Sequence, residues 1–347
     1  MKTLFYSTKA YEQPYLEMAN TKNAEIVCIK KSLSAETAHL ATGFDIISVF
    51  TGDDASSEVM DILHEAGVRF ITTRAAGHDN IDIEKANKYG IRVTNVPAYS
   101  PYAIAEHAVA MILALNRKIV LADKQVHQQN FTTDKLIGYD LHGKTIGIIG
   151  VGIIGSVLVK IMHGFGCKII GCDLIENDFL KKEYGVTYTD KETLCSTADI
   201  ISIHTSFTPE TKYLINKQMI ALMKPGIMLI NTGRGGCVNT ADVIEGLEKG
   251  VIGAYGADVY ENERGIFFYD LTGKDMKDVL IKKLLAMQNV LVTPHQAFAT
   301  EQALTNIADT TFYNIDCIQS NTPSKNELTK ISVFENSIEQ PVMNASL

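Results

Sequence analysis

Short apolar runs rich in isoleucine and valine alternate with helical patterns along most of this chain of 347 residues. A first series comprises TLFYS, EIVCI, DIISVFT, RFITT and IRVTNV, with helical segments such as residues 56–66 between them. A second series follows from Lys144 and comprises KTIGIIG, KIIGCD, DIISIH, IMLINT, GAYGADV and NVLVTPH. Strands that alternate with helices form parallel sheets, because each helix returns the chain to the edge where the next strand begins. The sequence therefore predicts an α/β fold with two doubly wound parallel sheets.

Two changes of pattern suggest how the chain divides into domains. Ser100 and Pro101 have the residue types of an N-cap and a first helical position, and a helical pattern then runs to about Gln129. Residues 300–319 look helical but have no strand partners of their own, so we expect them to return to the first domain. The predicted domains are residues 1–99 plus 298–335, residues 100–297, and a C-terminal tail of low order at residues 336–347.

Charge and hydropathy exclude several classes of partner. The formal net charge of −8 argues against a nucleic-acid surface, since affinity for phosphate backbones depends on clustered lysine and arginine. The first nine residues contain only a three-residue apolar run, too short for a signal peptide. The longest apolar stretch, residues 146–159, is shorter than the roughly 20 residues of a membrane span. We expect a cytoplasmic protein with small-molecule or protein partners and no membrane contact.

Cysteine and histidine usage predicts neither disulfides nor a metal site. The 6 cysteines are scattered, form no C-x-x-C pair and lie mostly in apolar surroundings, as reduced core thiols do. The 9 histidines form no short ligand motif such as H-E-x-x-H. No metal is therefore predicted.

A glycine motif follows the first strand of the second series directly. Gly150, Gly152 and Gly155 match G-x-G-x-x-G, in which the glycines permit a tight turn, close approach of a pyrophosphate, and packing of helix on strand. The next strand ends at Asp173, where an acid accepts hydrogen bonds from the adenosine ribose hydroxyls. Residues 174–176 offer no positive charge for a 2′-phosphate. The motif and the acid together predict a dinucleotide site, with NAD favoured over NADP.

Three side chains follow later strands of the same series. Arg234 comes after IMLINT, Glu263 after GAYGADVYEN, and His295 after NVLVTP. Ligands of open α/β sheets bind beyond the carboxyl ends of the strands, so these three residues are candidates for one site. We expect Gly235 and Gly236 to let the backbone turn sharply after the strand that carries Arg234.

The three residue types suit the reduction of a 2-oxo acid. Arg234 can bind a carboxylate in a forked pair. His295 can donate a proton to the carbonyl oxygen as hydride reaches the adjacent carbon. Glu263 can stabilise the imidazolium form of that histidine. Each residue also has a purely structural interpretation, and only their joint placement points to catalysis.

Several motifs in this order resemble the D-2-hydroxyacid dehydrogenases, and most closely the fermentative D-lactate dehydrogenases among them. The resemblance runs from about Arg74 to Asn314 and rests on TTRAAGHDNID, NVPAYSPYAIAEHAVAMILALNRK, GYDLHGKTIGIIGVGIIG, LMKPGIMLINTGRGG and VLVTPHQAF. It implies a flavodoxin-like substrate domain and a Rossmann NAD-binding domain that close on the cofactor. It also implies reversible hydride transfer from NADH to pyruvate, a homodimer or homotetramer, and the catalytic set Arg234, Glu263 and His295.

The resemblance implies further site residues. The pyrophosphate would lie against Gly152, Ile153 and Ile154, and Asp258 would hold the nicotinamide carboxamide. The resemblance also places the substrate carboxylate at the backbone of Ala76 and Gly77. Further cofactor contacts are implied at His204, Thr205, Thr232 and Gly233. The resemblance also implies that Tyr99 and Phe298 line the substrate pocket.

The sequence departs from the family pattern at two positions, and it leaves two alternative functions open. Family members usually have serine or alanine where this chain has Gly233, and often proline where it has Ser206. The same three catalytic residues would serve a larger 2-oxo acid, such as 2-oxoisocaproate, phenylpyruvate or 2-oxoglutarate. The family resemblance also extends to NAD-binding corepressors that use this fold as an interaction module, since a fold does not determine a function.

Overall fold

A computed structural model gives the structure of the chain and describes residues 1–330. The chain divides into two compact units, one of Met1–Pro97 with the described residues from Ile307 onward, the other of Ala98–Asn306. The predicted tail at residues 336–347 lies outside the described residues, as do residues 331–335. The assignment of a substrate-binding role to the first unit stays a prediction.

The described residues contain twelve strands and twelve α-helices. The strands are β1 (Thr3–Phe5), β2 (Ile26–Cys28), β3 (Ile46–Val49), β4 (Phe70–Thr73), β5 (Arg92–Thr94), β6 (Thr145–Ile149), β7 (Lys168–Cys172), β8 (Thr187–Tyr188), β9 (Ile200–Ile203), β10 (Ile227–Asn231), β11 (Ile252–Ala257) and β12 (Val290–Val292). The helices are α1 (Gln13–Ala19), α2 (Ser57–Glu65), α3 (Ile83–Tyr89), α4 (Pro101–Asn116), α5 (Ile119–His127), α6 (Ile153–Gly164), α7 (Asp178–Tyr184), α8 (Lys191–Thr197), α9 (Lys217–Leu222), α10 (Thr240–Glu248), α11 (Val279–Ala286) and α12 (Glu301–Gln319). Short 3₁₀ helices lie at Ala38–Ala41 and Gly235–Cys237.

Both sheets are parallel, which confirms the predicted fold class. The five-stranded sheet has the order β2-β1-β3-β4-β5, the doubly wound order of flavodoxin-like folds. The seven-stranded sheet has the order β12-β11-β10-β9-β6-β7-β8, which contains the Rossmann order with one further strand at the edge. In the second sheet the chain order reverses between β6 and β9, and ligands of such sheets bind beside this reversal.

Apolar side chains on both faces of each sheet form the cores. In the first unit Leu4 and Ile47 pack on α2 and α3, whereas Phe5 and Ile46 face α1 and α12. This division follows from the strand period of two, which sends successive side chains to opposite faces. In the second unit one face of the sheet packs on α4 and α6, and the other packs on α8, α9, α10 and α11. Strands buried on both faces explain the nearly continuous isoleucine runs of the sequence.

The predicted single helix from Ser100 to about Gln129 is wrong, because the chain breaks between α4 and α5. Lys118 adopts a left-handed backbone with φ of 54° at the break. The side chain of Asn116, the last residue of α4, donates to the Tyr139 carbonyl oxygen at 2.7 Å and accepts from its N–H at 3.0 Å. A Cβ on Gly138 would lie 2.4 Å from the Asn116 carbonyl oxygen, so this later loop packs directly against the end of the helix. The helical period of the sequence does not reveal this contact between the later loop and the end of α4, so it does not predict the break.

A buried ion pair lies where β4 of the first unit ends. The Arg74 guanidinium donates to Glu12 Oε2 at 3.0 Å, to Ser48 Oγ at 3.0 Å and to the Tyr6 carbonyl oxygen at 2.8 Å. Its side chain is fully buried, and the Glu12 side chain is 7% exposed. The phenyl rings of Phe5 and Phe50 lie 5.4 and 5.6 Å from the guanidinium carbon. Each of these buried charges requires the other as its counter-charge, since water does not reach either one to solvate it.

We predict that Glu12→Gln lowers the free energy of unfolding by about 3–5 kcal/mol, because it leaves the Arg74 charge buried without a counter-charge. Urea unfolding followed by circular dichroism measures the change. The control is Asp45→Asn, which breaks the Asp45–Arg69 pair whose side chains are 34% and 58% exposed. An exposed pair contributes about 1 kcal/mol or less, so equal losses in the two variants would contradict the prediction.

Candidate active site

The three motif glycines meet different requirements in the loop between β6 and α6. Gly150 has φ of 89°, and a Cβ there would lie 2.7 Å from the His204 carbonyl carbon. A Cβ on Gly155 would lie 2.1 Å from the Gly150 carbonyl oxygen. Gly152 has an ordinary φ of −71°, and a Cβ there would meet no protein atom within 4 Å. The chain itself therefore requires Gly150 and Gly155, whereas Gly152 leaves open space for a ligand to approach the backbone.

Gly152 is also the N-cap of α6, so the loop leads directly into a helix N-terminus. The first helical hydrogen bond runs from Ser156 N–H to the Gly152 carbonyl oxygen at 2.9 Å. The N–H groups of Ile153, Ile154 and Gly155 precede it and have no acceptor within the helix. Backbone donors at a helix N-terminus favour a phosphate group.

Asp173 follows β7 beside this loop. Its carboxylate accepts from Val151 N–H at 2.6 Å and from Ile175 N–H at 3.2 Å, which fixes it at the edge of the glycine loop. Lys181, the first cation after Asp173 in the sequence, is already paired with Glu176 at 2.5 Å and with Asp178 at 3.0 Å. A fixed carboxylate fits a ribose diol and repels a 2′-phosphate, as the sequence predicts.

Two buried polar atoms near the loop have no hydrogen-bond partner among the described residues. They are Thr232 Oγ1 and His204 Nδ1, and both residues were predicted as cofactor contacts. The other ring nitrogen of His204 lies 2.8 Å from Ser202 Oγ. Burial lowers the pKa of His204 to about 4, so the imidazole is neutral near pH 7 and acts there only through hydrogen bonds. A ligand that hydrogen-bonds these two atoms would gain free energy, because an unmade hydrogen bond of a buried group is costly.

The loops that carry these atoms pack on each other. A Cβ on Gly233 would lie 3.2 Å from the carbonyl oxygens of both Ile203 and Thr205. The predicted cofactor residues Thr205 and Gly233 are thereby held together beside the reversal of the sheet. The residues of this edge fit a dinucleotide.

The side chain of Asn231 holds the loop that presents Arg234. Its Nδ2 donates to the Arg234 carbonyl oxygen at 3.0 Å, and its Oδ1 accepts from Gly233 N–H at 3.1 Å. No sequence pattern marked this residue as part of the site, although it is the last residue of the apolar run IMLIN. A side-chain amide can bridge two backbone groups in this way because it carries both a donor and an acceptor.

The expectation that Gly235 and Gly236 permit a sharp backbone turn is wrong. Neither residue has a left-handed backbone, so a sharp turn does not require them. A Cβ on Gly235 would lie 2.1 Å from the Tyr260 carbonyl carbon, and one on Gly236 would lie 2.6 Å from the Phe207 ring. Gly235 instead lets the Arg234 loop pack directly on the segment that leads to Glu263, and Gly236 leaves room for the Phe207 ring.

Arg234 and Tyr99 lie within electrostatic range of each other. The Arg234 side chain is half-buried, and its Nη1 donates to the Gly233 carbonyl oxygen at 2.9 Å. Burial raises the pKa of Tyr99, Arg234 lowers it and Asp258 raises it further. The predicted pocket residue Tyr99 therefore lies near the predicted carboxylate-binding arginine.

Glu263 and His295 form the closest contact among the predicted catalytic residues. Glu263 Oε1 lies 2.9 Å from His295 Nδ1, and the side chains are 21% and 14% exposed. Glu263 Oε2 accepts from Tyr260 N–H at 3.3 Å. A carboxylate only accepts, so the proton of this contact lies on Nδ1 and leaves Nε2 to exchange protons with a substrate.

Asp258 is buried directly after β11. Its oxygens accept from Thr293 Oγ1 at 2.5 Å, Gln296 N–H at 2.8 Å and Ala297 N–H at 2.9 Å. Burial alone would raise the pKa of Asp258, but His107 nearby and the hydrogen bonds from Thr293 and Ala297 lower it below its usual value. Asp258 is therefore ionised at neutral pH.

The remaining predicted residues divide between the units. Phe298 is 9% exposed and lies three residues after His295 in the second unit. Ala76 and Gly77 belong to the first unit, in the loop after β4, where Asn95 Nδ2 donates to the Ala76 carbonyl oxygen at 2.9 Å. Within residues 1–330 no helix is long and apolar enough to cross a membrane, and no group of three His, Cys, Asp or Glu side chains is arranged to hold a metal ion.

The fold and the glycine loop define a dinucleotide-binding α/β protein, and comparisons with known proteins agree. Residues 109–297 match the family model of the D-isomer specific 2-hydroxyacid dehydrogenase NAD-binding domain. The D-lactate dehydrogenase of Escherichia coli is 40% identical over 329 residues, which cover 94% of this chain and 100% of that protein.

Solved structures extend the similarity to the fold. The pyruvate reductase of Chlamydomonas reinhardtii has a TM-score of 0.86 at 39% identity and covers 94% of this chain and 98% of its own. A D-lactate dehydrogenase from Aquifex aeolicus, solved with NAD and lactic acid, has a TM-score of 0.86 at 32% identity and covers 95% of this chain and 100% of its own.

This chain belongs to the D-isomer specific 2-hydroxyacid dehydrogenases. The predicted family, the enzyme class and the NAD cofactor are thereby confirmed. The named relatives support a dehydrogenase over the corepressor alternative. The roles of individual residues stay predictions.

We predict that Gly152→Ala leaves the melting temperature within a few degrees of the wild type but weakens NADH binding at least about tenfold, because the new methyl group enters space that only a ligand would fill. Fluorescence titration with NADH measures the Kd. Gly155→Ala is the matched control, since its methyl group meets the Gly150 carbonyl oxygen and should lower the melting temperature. Unchanged NADH affinity in Gly152→Ala would remove this glycine from the cofactor site.

Proposed function

We propose that this protein catalyses the reversible reduction of pyruvate to D-lactate with NADH. The observation that carries the proposal is the hydrogen-bonded pair of Glu263 and His295, which follow the adjacent strands β11 and β12, while Arg234 follows β10, the next strand of the same sheet. Relatives named as D-lactate dehydrogenases and as a pyruvate reductase support pyruvate over a larger 2-oxo acid.

The chain supplies the cofactor site from the edge where β6 and β7 end. Gly152, Ile153 and Ile154 offer backbone to the pyrophosphate, and Asp173 accepts from the ribose hydroxyls. Thr232 Oγ1 and His204 Nδ1, together with Thr205 and Gly233, belong to the same edge. When bound, the reduced nicotinamide supplies the hydride.

Arg234 binds and orients the substrate in this proposal. A guanidinium presents parallel N–H donors in a plane, so it holds a carboxylate in one orientation. The loop that carries Arg234 is held by the Asn231 side chain, which limits the freedom of the guanidinium before substrate arrives. Orienting a reactant in this way lowers the entropic part of the barrier.

His295 transfers the proton. Its Nδ1–H is engaged by Glu263, so the proton for the carbonyl oxygen of pyruvate comes from Nε2. Glu263 stabilises the imidazolium that donates this proton and keeps the ring in one orientation. In the reverse direction neutral His295 accepts the proton of the D-lactate hydroxyl at the same nitrogen.

The remaining predicted contacts complete the proposed site. Tyr99 and Phe298 line the substrate pocket, and the backbone of Ala76 and Gly77 receives the substrate carboxylate. Asp258 binds the nicotinamide carboxamide in this proposal, because a carboxylate can accept more hydrogen bonds than it receives from within the protein.

The proposal includes self-association through the second unit. Apolar side chains are exposed on and after α5, a region that packs none of them into the core of this chain. They are Ile119 (55% exposed), Val120 (53%), Val126 (48%), Phe131 (73%) and Ile137 (80%). Exposed apolar side chains concentrated in one stretch of the chain suit an interface between copies, and we propose a homodimer or homotetramer.

We also propose the cytoplasm as the compartment. All six cysteines, Cys28, Cys167, Cys172, Cys195, Cys237 and Cys317, are free thiols. Unpaired thiols are typical of proteins that work in a reducing compartment.

The direct test is the loss of NADH absorbance when pyruvate is added to the purified protein, with D- and L-lactate assayed separately. We expect rapid loss and D-lactate alone. Loss only with 2-oxoisocaproate, phenylpyruvate or 2-oxoglutarate would replace the substrate and keep the catalytic residues. Tight NADH binding without turnover of any 2-oxo acid would contradict the enzymatic proposal.

We predict that His295→Ala lowers kcat for pyruvate reduction at least about 100-fold, the usual contribution of a general acid. Steady-state kinetics at saturating NADH measures the loss. His39→Ala removes an exposed histidine of the first unit and should keep wild-type kinetics. A loss below about tenfold in His295→Ala would exclude the general-acid role.

We predict that Arg234→Lys raises the KM for pyruvate and lowers kcat/KM about 10- to 100-fold, because lysine keeps the charge but not the planar pair of donors. Initial rates over a range of pyruvate concentrations separate the two parameters. Arg69→Lys, at an exposed ion pair of the first unit, is the matched control. Unchanged kinetics in Arg234→Lys would remove this arginine from the substrate site.

A further inference from the structure

His295 has a left-handed backbone conformation that is uncommon for residues other than glycine. Its φ is 56°, in the left-handed region that favours glycine, and its N–H donates to the Thr293 carbonyl oxygen at 3.0 Å. A non-glycine residue stays in this region only where surrounding contacts hold it there. The ring that meets Glu263 therefore depends on contacts made by its neighbours in the chain.

The neighbours on both sides of His295 are bound to one buried carboxylate. Asp258 accepts from Thr293 Oγ1, two residues before the histidine, and from the N–H groups of Gln296 and Ala297 directly after it. The loop is thus fixed at both ends by a single group, which itself is held at the end of β11.

His107 extends this arrangement from a different element. It lies on α4, and its Nε2 is 3.0 Å from Thr293 Oγ1 and 3.4 Å from Asp258 Oδ1. A hydroxyl that donates its only proton to a carboxylate can still accept. The short Thr293–Asp258 contact therefore sets the direction of both hydrogen bonds. His107 Nε2–H donates to Thr293 Oγ1, and the Thr293 hydroxyl donates to Asp258.

We propose that His107 and Thr293 are positioning residues, which act through Asp258 to hold His295 where its Nδ1 meets Glu263. This role rests on the proposed function for its kinetic consequence, but the geometry of the Glu263–His295 contact can be measured without turnover. Neither residue belongs to the catalytic set, and no motif in the sequence connects them. The carboxylates near the His295 ring are Glu263, in contact, and Asp258, at longer range.

The first test compares Thr293→Val with Thr293→Ser. Valine keeps the shape of threonine and removes the hydroxyl, whereas serine keeps the hydroxyl. We expect kcat for pyruvate reduction to fall at least about tenfold in the valine variant and to stay within about threefold of wild type in the serine variant.

The second test uses the helix. His107→Leu removes the donor from α4, and His107→Gln offers an amide N–H at a similar position. The same loss of kcat is expected in His107→Leu, with partial recovery in His107→Gln. A lower melting temperature with unchanged kcat in both Thr293→Val and His107→Leu would show a purely structural role and overturn the proposal.

A proton NMR measurement separates this inference from the proposed function. The His295 Nδ1–H in contact with a carboxylate should give a downfield resonance, assigned by its absence in His295→Gln. We expect this resonance to weaken or move upfield in Thr293→Val and His107→Leu and to persist in Thr293→Ser. An unchanged resonance in the first two variants overturns the positioning role, even if the protein reduces no 2-oxo acid at all.

Discussion

The parallel pairing of β10, β11 and β12 is the constraint on which the candidate site depends. Asn231 pairs with Ala257, and Ala257 pairs with Val292, so the three strands end at the same level. The residues that follow these strand ends therefore emerge side by side, although they are widely separated in sequence. An antiparallel strand among the three would send one of these segments to the opposite edge of the sheet.

The strand ends alone do not orient side chains, and buried polar groups do this work. Asn231 bridges the backbone around Arg234, and Asp258 binds the backbone around His295. Both are completely buried at the ends of strands, where they have backbone donors or acceptors to satisfy them. Groups that hold a site in this way are as important for its geometry as the residues that meet the substrate.

Glycines serve two purposes at this edge of the sheet. Gly155 and Gly235 allow one backbone segment to pack directly on another, as the positions of an added Cβ show. A Cβ on Gly152 would meet no protein atom within 4 Å, so packing does not require this glycine. The sequence motif does not separate glycines that packing requires from one that it does not.

The sequence by itself determined the α/β class, the two parallel sheets, the glycine loop with Asp173, and the three strand-end residues Arg234, Glu263 and His295. These follow from local patterns, because strand period, turn chemistry and residue type are carried by neighbouring residues. The break between α4 and α5, the clamp by Asn231 and the contact from His107 to Thr293 were decided only by the tertiary structure. Each of these depends on an atom from a distant segment, and neither periodicity nor a motif encodes which distant residue will lie within hydrogen-bond distance.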